Sequence, residues 1–245
     1  MGGLKRIGIV GVSSPGAALC YQIICTEGEK FLGRRYAHPE VVMHAFSFSD
    51  YMARMEHGDW EGVANLLAAS AEKLARMGAS FVICPDNAVH IAFDKVVEKS
   101  PVPWLHIAEE VAGEAKKLGF GKLAILGTEL LMNSEVYPSK LRLCGIDFAV
   151  PEAAHRKVIN EIIFNELVYG IIKNESREKL LRIVEKMAQK ECCDAAVLGC
   201  TELPLIINSE HSVIPVLDST RILARAALKK AKNEHGILRE IPEIK

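Results

Sequence analysis

Ile7-Gly8-Ile9-Val10-Gly11 is a short apolar run that closes on a glycine, and it returns 116 residues on as Leu123-Ala124-Ile125-Leu126-Gly127. A second run, Phe81-Val82-Ile83-Cys84-Pro85-Asp86-Asn87, returns as Ala195-Ala196-Val197-Leu198-Gly199-Cys200-Thr201-Glu202, with Cys200 standing 114 residues after Asp86. Short continuous apolar runs that end in turn residues predict strands buried on both faces, as in parallel sheets. Two copies of one unit, each delivering a polar residue at a strand end, suggest two half-sites facing across a cleft. That layout suits chemistry on both faces of one small substrate.

Working outward, strand-like and helix-like segments alternate. The first half predicts a helix over 15–33 that stops at Gly33, a strand Val41–Phe46, and an amphipathic helix Trp60–Met77 before Gly78. Leu66, Leu67, Leu74 and Met77 fall on one face of that helix. A helix His90–Lys99, a strand or connector Val102–Ile107 and a helix Val111–Lys117 follow. The second half predicts a helix from about Met132, a strand Asp147–Pro151, helices near Val158–Val168 and Arg177–Lys190, a strand Val213–Val216 and a closing helix Ser219–Lys230. The expected fold class is therefore α/β, with two pseudo-symmetric lobes, each a parallel sheet flanked by helices. The expected division is 1–107 with 209–232 as the first lobe, 108–208 as the second, and 233–245 as a tail. Ligands of such sheets bind beyond the carboxyl ends of the strands, where both Asp86 and Cys200 fall.

Composition narrows the function classes. Of 245 residues, 49% are hydrophobic and 25% charged, which is ordinary for a globular chain. Thirty basic against 31 acidic residues leave a formal charge of −1, so no charge field points to nucleic acid or a membrane surface. No apolar run approaches the ~20 residues that cross a bilayer. The opening MGGLKRIGIV shows neither the apolar region nor the cleavage site of a secretory signal, and a cytoplasmic location is expected. Seven cysteines, an odd number without a repeated C-x-x-C, argue against a disulfide framework. The eight histidines form no H-x-x-x-H or H-E-x-x-H pair, and no Cys/His quartet has zinc spacing, so no metal site is expected.

Two turns carry candidate chemistry. Cys200 lies at a strand-to-helix turn, where backbone N–H groups and a helix dipole would lower its pKa toward the thiolate and make it a base or nucleophile. The plainer alternative is a buried structural cysteine. Asp86 at the equivalent turn is a general acid/base candidate, or a helix cap bonding amides near Val89. Asn87 has amide donors for a substrate carboxylate. Cys84, two residues before Asp86, is a lesser rival for the thiol role. The small-residue loop Gly11–Gly16 lacks the Walker A lysine and the G-x-G-x-x-G spacing, but its amides and hydroxyls can cradle a carboxylate, as can Gly127-Thr128.

The motifs GVSSPG, HPEVVMHAFSFSDY, PDNAVH, Leu126-Gly127-Thr128 and LGCTELPLII resemble the aspartate/glutamate racemase superfamily, over most of residues 5–230. The family's first turn is usually a Pro-Cys-Asn-Thr-x-His run; Asn87 and His90 match it, and Asp86 takes the place of the cysteine. The resemblance implies a cofactor-independent amino-acid racemase of two bases, Cys200 and Asp86. It implies no pyridoxal phosphate or other cofactor, and a substrate cradle of Ser13, Ser14, Ser47, Asn87, Ala88, Thr128 and Thr201. It also implies a homodimer acting on a small amino acid or dicarboxylate. The segment Ala45–Ser49 contains no arginine, which some aspartate-specific members place there for the second carboxylate. Alternatives are a single-thiol decarboxylase or cis–trans isomerase of a dicarboxylate, or a non-catalytic module that clamps a small carboxylate.

Overall fold

In a computed structural model that describes residues 4–232, the repeated apolar runs lie side by side in two separate parallel sheets. The expected tail 233–245 lies outside the described residues. The first half runs β1 (Ile7–Gly11), α1 (Ser14–Leu32), β2 (Val41–Ala45), α2 (Phe48–Glu56), α3 (Trp60–Arg76) and β3 (Phe81–Ile83). A 3-10 segment, Ala88–Ala92, then leads into α4 (Phe93–Lys99) and α5 (Ile107–Leu118). The second half runs β4 (Lys122–Leu126), α6 (Glu129–Met132), α7 (Val136–Cys144), β5 (Asp147–Ala149), α8 (Ala153–Asn165), α9 (Asn174–Glu191) and β6 (Ala195–Leu198). It closes with β7 (Val216–Asp218) and α10 (Ser219–Ala231).

Strand order shows the repeat directly. One sheet is β2-β1-β3 and the other β5-β4-β6-β7, so each half winds in the same sequence about its first strand. Ile9 registers with Ile83 in the first sheet, and Leu126 with Leu198 in the second.

Strands covered on both faces bury alternate residues in different clusters. Ile7 and Ile9 pack with Ile23 and Ile24 of α1 and with Leu223 and Leu228 of α10. Val10 and Val82 pack with Leu67 and Leu74 of α3 on the other side. In the second sheet, Leu123 and Ile125 meet Val111 of α5 and Leu141 of α7, while Ala124 and Leu126 meet Ile159 of α8 and Val184 of α9. Helix α10 contacts both α1 and α5. Of the segment 209–232, β7 hydrogen-bonds to β6 in the second sheet, whereas α10 packs on α1.

Four local expectations are corrected. Helix α2 was not expected, although Phe48, Tyr51, Met52 and Met55 stand at helical spacing and pack together against α3. The inward face of α3 is Val63, Ala64, Leu67, Ala71 and Leu74, and Met77 stands outside, half exposed at the C-cap. The helix expected from His90 starts as 3-10 and becomes α-helical at Phe93. The last strand begins at Val216, not Val213, which is solvent-exposed; the prolyl carbonyl of Pro215 accepts from Ala196 N–H just before it.

Candidate active site

The carboxyl ends of four strands converge on one cavity. β1 leads to Ser13, β3 to Asp86 and Asn87, β4 to Thr128, and β6 to Cys200 and Thr201; all of these residues, with Ala88, line a cavity of about 570 Å³. Ser14 and Ser47, also expected in the cradle, are exposed and are not part of the lining. The Ser47 hydroxyl bonds instead to Ser49, at 2.8 Å.

Close approach of three segments depends on Gly16, in the first turn of α1. A Cβ there would lie 2.5 Å from Thr201 Cγ2 and 2.8 Å from the carbonyl oxygen of Pro85. Glycine thus lets α1 touch both candidate turns at once, and it holds Ser13 beside them. The Ser13 side chain makes no helix-capping bond; its Oγ lies 3.3 Å from Thr201 Oγ1.

Cys200 is held by a buried carboxylate. Its Sγ–H donates to Glu202 Oε2 at 2.9 Å, and the Thr201 hydroxyl donates to the same oxygen at 2.7 Å. Glu202 is only 4% exposed. Burial, then the negative charge and hydrogen bond of Glu202, push the Cys200 thiol well above its usual pKa. The expected thiolate-favouring turn is therefore corrected. The segment that follows, Leu203–Leu205, is a three-residue 3-10 turn with little dipole to offer, and the dominant neighbouring charge is negative.

Asp86 carries the opposite polarity. Burial, with Glu202 adding repulsion, raises its carboxyl to a pKa of about 6, against the pull of the Val89 and Ala88 backbone N–H groups. The capping bond from Val89 N–H to Oδ1 is long, at 3.4 Å. At neutral pH Asp86 is then mostly a carboxylate and Cys200 a thiol. One group can accept a proton while the other can give one.

The supporting residues fix the turn that carries Asp86. His90 Nδ1–H donates to the Asp86 carbonyl at 2.7 Å, and its Nε2 faces Ile107 N–H at 3.4 Å. Burial, then the neighbouring His106, push the His90 pKa down to about 3, so the ring stays neutral and acts as a fixed strut. Asn87 Oδ1 accepts from Tyr137 of α7 at 2.6 Å, and its Nδ2 donates to Ser219 at 3.1 Å. Ser219 in turn donates to the Leu198 carbonyl at 2.8 Å. The Asn87 amide, expected to face a carboxylate, thus ties the first turn to α7, α10 and β6. Thr128 Oγ1 caps α6 by accepting from Leu131 N–H at 3.3 Å.

Sequence reasoning missed Glu202 and Tyr137 as members of the site. Glu202 stood inside the quoted Gly-Cys-Thr-Glu motif, two residues from the thiol, which was the available signal. Nothing local marked Tyr137. Among the described residues no group of three or more His, Cys, Asp or Glu side chains is arranged to hold a metal ion, and no helix is long and apolar enough to cross a membrane.

Comparison with known proteins places this site in context. Residues 9–227 match the family model for Asp/Glu/hydantoin racemases. The structure of an aspartate racemase homologue from Pyrococcus horikoshii OT3 superposes with a TM-score of 0.80 at 33% identity, covering 93% of this chain and 99% of that one. The broad-specificity amino-acid racemase RacX of Bacillus subtilis is 24% identical over 69% of this chain and 73% of its own length. Glutamate racemase of Streptococcus gordonii is 29% identical over 54% of this chain, and the match spans 48% of that enzyme. The chain therefore aligns with about half the length of such glutamate racemases.

Proposed function

Because the chain belongs to the Asp/Glu/hydantoin racemase family, we propose that it is an amino-acid racemase or epimerase that moves the α-proton directly between Asp86, Cys200 and the substrate. The observation that carries this reading is the pairing, in one cavity, of a carboxyl with a pKa of about 6 and a thiol held protonated by Glu202. Asp86 removes the α-proton from one face: the C–H bond breaks, its electron pair stays on the α-carbon, and the proton goes to a carboxylate oxygen. Cys200 then gives its S–H proton to the opposite face and becomes a thiolate. The inverted amino acid leaves, and proton exchange with water returns Asp86 to carboxylate and Cys200 to thiol. The reverse reaction starts from the thiolate.

Glu202 acts through Cys200. Its charge keeps the thiol loaded with a proton and makes the thiolate, once formed, a stronger base. The Thr128 hydroxyl, whose oxygen only accepts from Leu131 N–H, and the second N–H of the Asn87 amide are the donors left to stabilise the charge that spreads onto the substrate carboxylate in the transition state, since the Thr201 proton goes to Glu202 and Ser13 lies against Thr201. Such donors do the work that an electron-sink cofactor does elsewhere, so no cofactor enters the scheme. The same reading carries a cytoplasmic homodimer as its setting.

A single-thiol reaction, decarboxylation or cis–trans isomerisation of a dicarboxylate, is the second reading. It is favoured by the Val89 N–H contact, which gives Asp86 a structural use. Incubating the protein with single amino-acid enantiomers in D₂O separates the two. Racemisation incorporates α-deuterium and loses optical rotation, whereas decarboxylation releases CO₂ and a binding module does neither.

A further inference from the structure

Beyond the strand-end turns, the cavity wall is mostly apolar. Helix α2 contributes Phe48, Met52 and Met55, α6 contributes Leu130, and α8 contributes Ile163 and Phe164. The charged residues that line it are all acidic: Glu56 and Glu129 join Asp86 and Glu202, and among the described residues no lysine or arginine lines it. We propose that the cavity selects an amino acid with a large, uncharged, apolar side chain and excludes aspartate and glutamate. This rests on the racemase reading for the reaction, but concerns what binds.

Desolvation and charge set this preference. A substrate with a side-chain carboxylate would bring it out of water against six hydrocarbon or thioether side chains, without a cation to meet it. A buried carboxylate is tolerated when paired, and costly otherwise. The amides of Asn133 and Asn160 also line the cavity, but they bring no compensating charge, and the Asn160 oxygen already accepts from Glu129 N–H at 2.9 Å. An apolar side chain gains instead from every unit of area it removes from water. The volume, about 570 Å³, lies within the usual ~300–1,000 Å³ of small-ligand pockets. It leaves room for a chain much larger than that of aspartate. A lysine-type chain could lay its stem along the same wall; of the two acids outside the strand-end turns, Glu56 is exposed at the end of α2 and Glu129 is partly exposed at the start of α6, so water screens the charge of each.

Two measurements on the full chain keep this inference separate from the racemase reading. In the first, Cys200→Ser protein is titrated calorimetrically with L-leucine, L-methionine, L-phenylalanine, L-aspartate, L-glutamate and L-lysine. The expected result is binding of the apolar amino acids about 10–200-fold more tightly than aspartate or glutamate, the range a hydrophobic pocket gives for modest side-chain differences. Equal or tighter binding of the acidic pair, tightest binding of lysine, or no binding at all would overturn the proposal. In the second, wild-type protein is incubated with the same set in D₂O. Selective binding of apolar amino acids without α-exchange leaves the pocket assignment standing and rejects the racemase. Exchange confined to aspartate or glutamate does the reverse. Met52→Arg, which places a cation on the wall, is expected to raise glutamate affinity relative to leucine by at least about tenfold; an unchanged ratio counts against the pocket assignment.

Discussion

Cys200 Sγ donates a hydrogen bond of 2.9 Å to Oε2 of Glu202, so the thiol proposed as an acid is clamped by a carboxylate two residues along its own turn. The contact reverses the usual logic of a reactive cysteine, in which positive charge lowers the pKa and frees a thiolate. Here the negative partner holds the proton on sulfur. A two-base racemase needs one loaded and one empty proton carrier at the start of each turnover, and in the proposed mechanism the Glu202 contact supplies the loaded one.

Glu202→Gln tests that relationship. The amide retains an acceptor oxygen but loses the charge, so the Cys200 pKa should fall toward the ordinary thiol value. Alkylation by iodoacetamide at pH 8 should speed up at Cys200, while racemisation slows by about 10²-fold, the lower range for a lost acid–base contribution. Mass spectrometry of the labelled peptide reads the first effect. An unchanged alkylation rate would remove the charge of Glu202 from the account.

In the proposed mechanism Asp86 sets the pH dependence. With a carboxyl pKa of about 6, it is protonated and idle as a base below that value, so kcat/KM in the direction it initiates should rise through about pH 6 and level off above. The limb should vanish in Asp86→Asn.

The same shift links to stability. A carboxyl raised from 3.8 to about 6 stabilises the fold fully below about pH 3.8, and that contribution is lost as pH rises through about 6. Asp86→Asn removes the ionising group while capping about as well. It should therefore be more stable than wild type at pH 7.5, by at most about 3 kcal/mol and, given solvent in the cleft, by about 1–2 kcal/mol. Urea titrations at pH 7.5 and pH 4 check the sign: the gain should shrink toward zero at the lower pH.

Gly16→Ala should be damaging even though alanine is the better helix former by about 1 kcal/mol. The added Cβ meets Thr201 Cγ2 at 2.5 Å and the Pro85 carbonyl at 2.8 Å, so both turns must move apart. Overpacking of this kind costs about 1–3 kcal/mol. A lower melting temperature with a larger proportional loss in kcat is expected; wild-type values for both would show that the turns have slack.

Tyr137→Phe removes the donor to Asn87 Oδ1, an acceptor on a residue only 3% exposed. Leaving it unpaired costs about 1–3 kcal/mol. Chemical denaturation should show that loss, together with reduced turnover because Asn87 adjoins Asp86.

Much of the architecture was legible because parallel strands announce themselves as unbroken apolar runs. The apolar part of the run from Ala195, ahead of Gly199, is β6 itself, and the doubled pattern predicted that β1 and β4 would play the same part in two sheets. Gly33 and Gly145 end α1 and α7 with φ near +70°, but only Gly33 was read as a stop, because α7 was expected merely as a helix from about Met132. Helix α2 was legible as well, from Phe48, Tyr51, Met52 and Met55 at helical spacing, but it lies in the quoted segment HPEVVMHAFSFSDY and just beyond it and was passed over. The family was legible from Leu198–Ile207. The partners of its residues were legible only in part. Glu202 stood two residues from Cys200 and could have been read from that spacing, but that Tyr137 reaches Asn87 fifty positions earlier depends on tertiary packing to which local spacing is blind.

In the proposed mechanism Asp86 and Cys200 serve opposite faces of one α-carbon, and isotope exchange in Asp86→Asn tells the two faces apart. The account predicts that the variant, incubated with each enantiomer in D₂O, inverts neither and exchanges the α-proton of only the one that Cys200 faces, slowly, because just the minor thiolate form of Cys200 can then act as a base. Asp86→Cys, which restores a thiol at that turn, should recover inversion. Inversion of either enantiomer at the wild-type rate in Asp86→Asn would contradict the two-base mechanism and leave the site with a single working thiol.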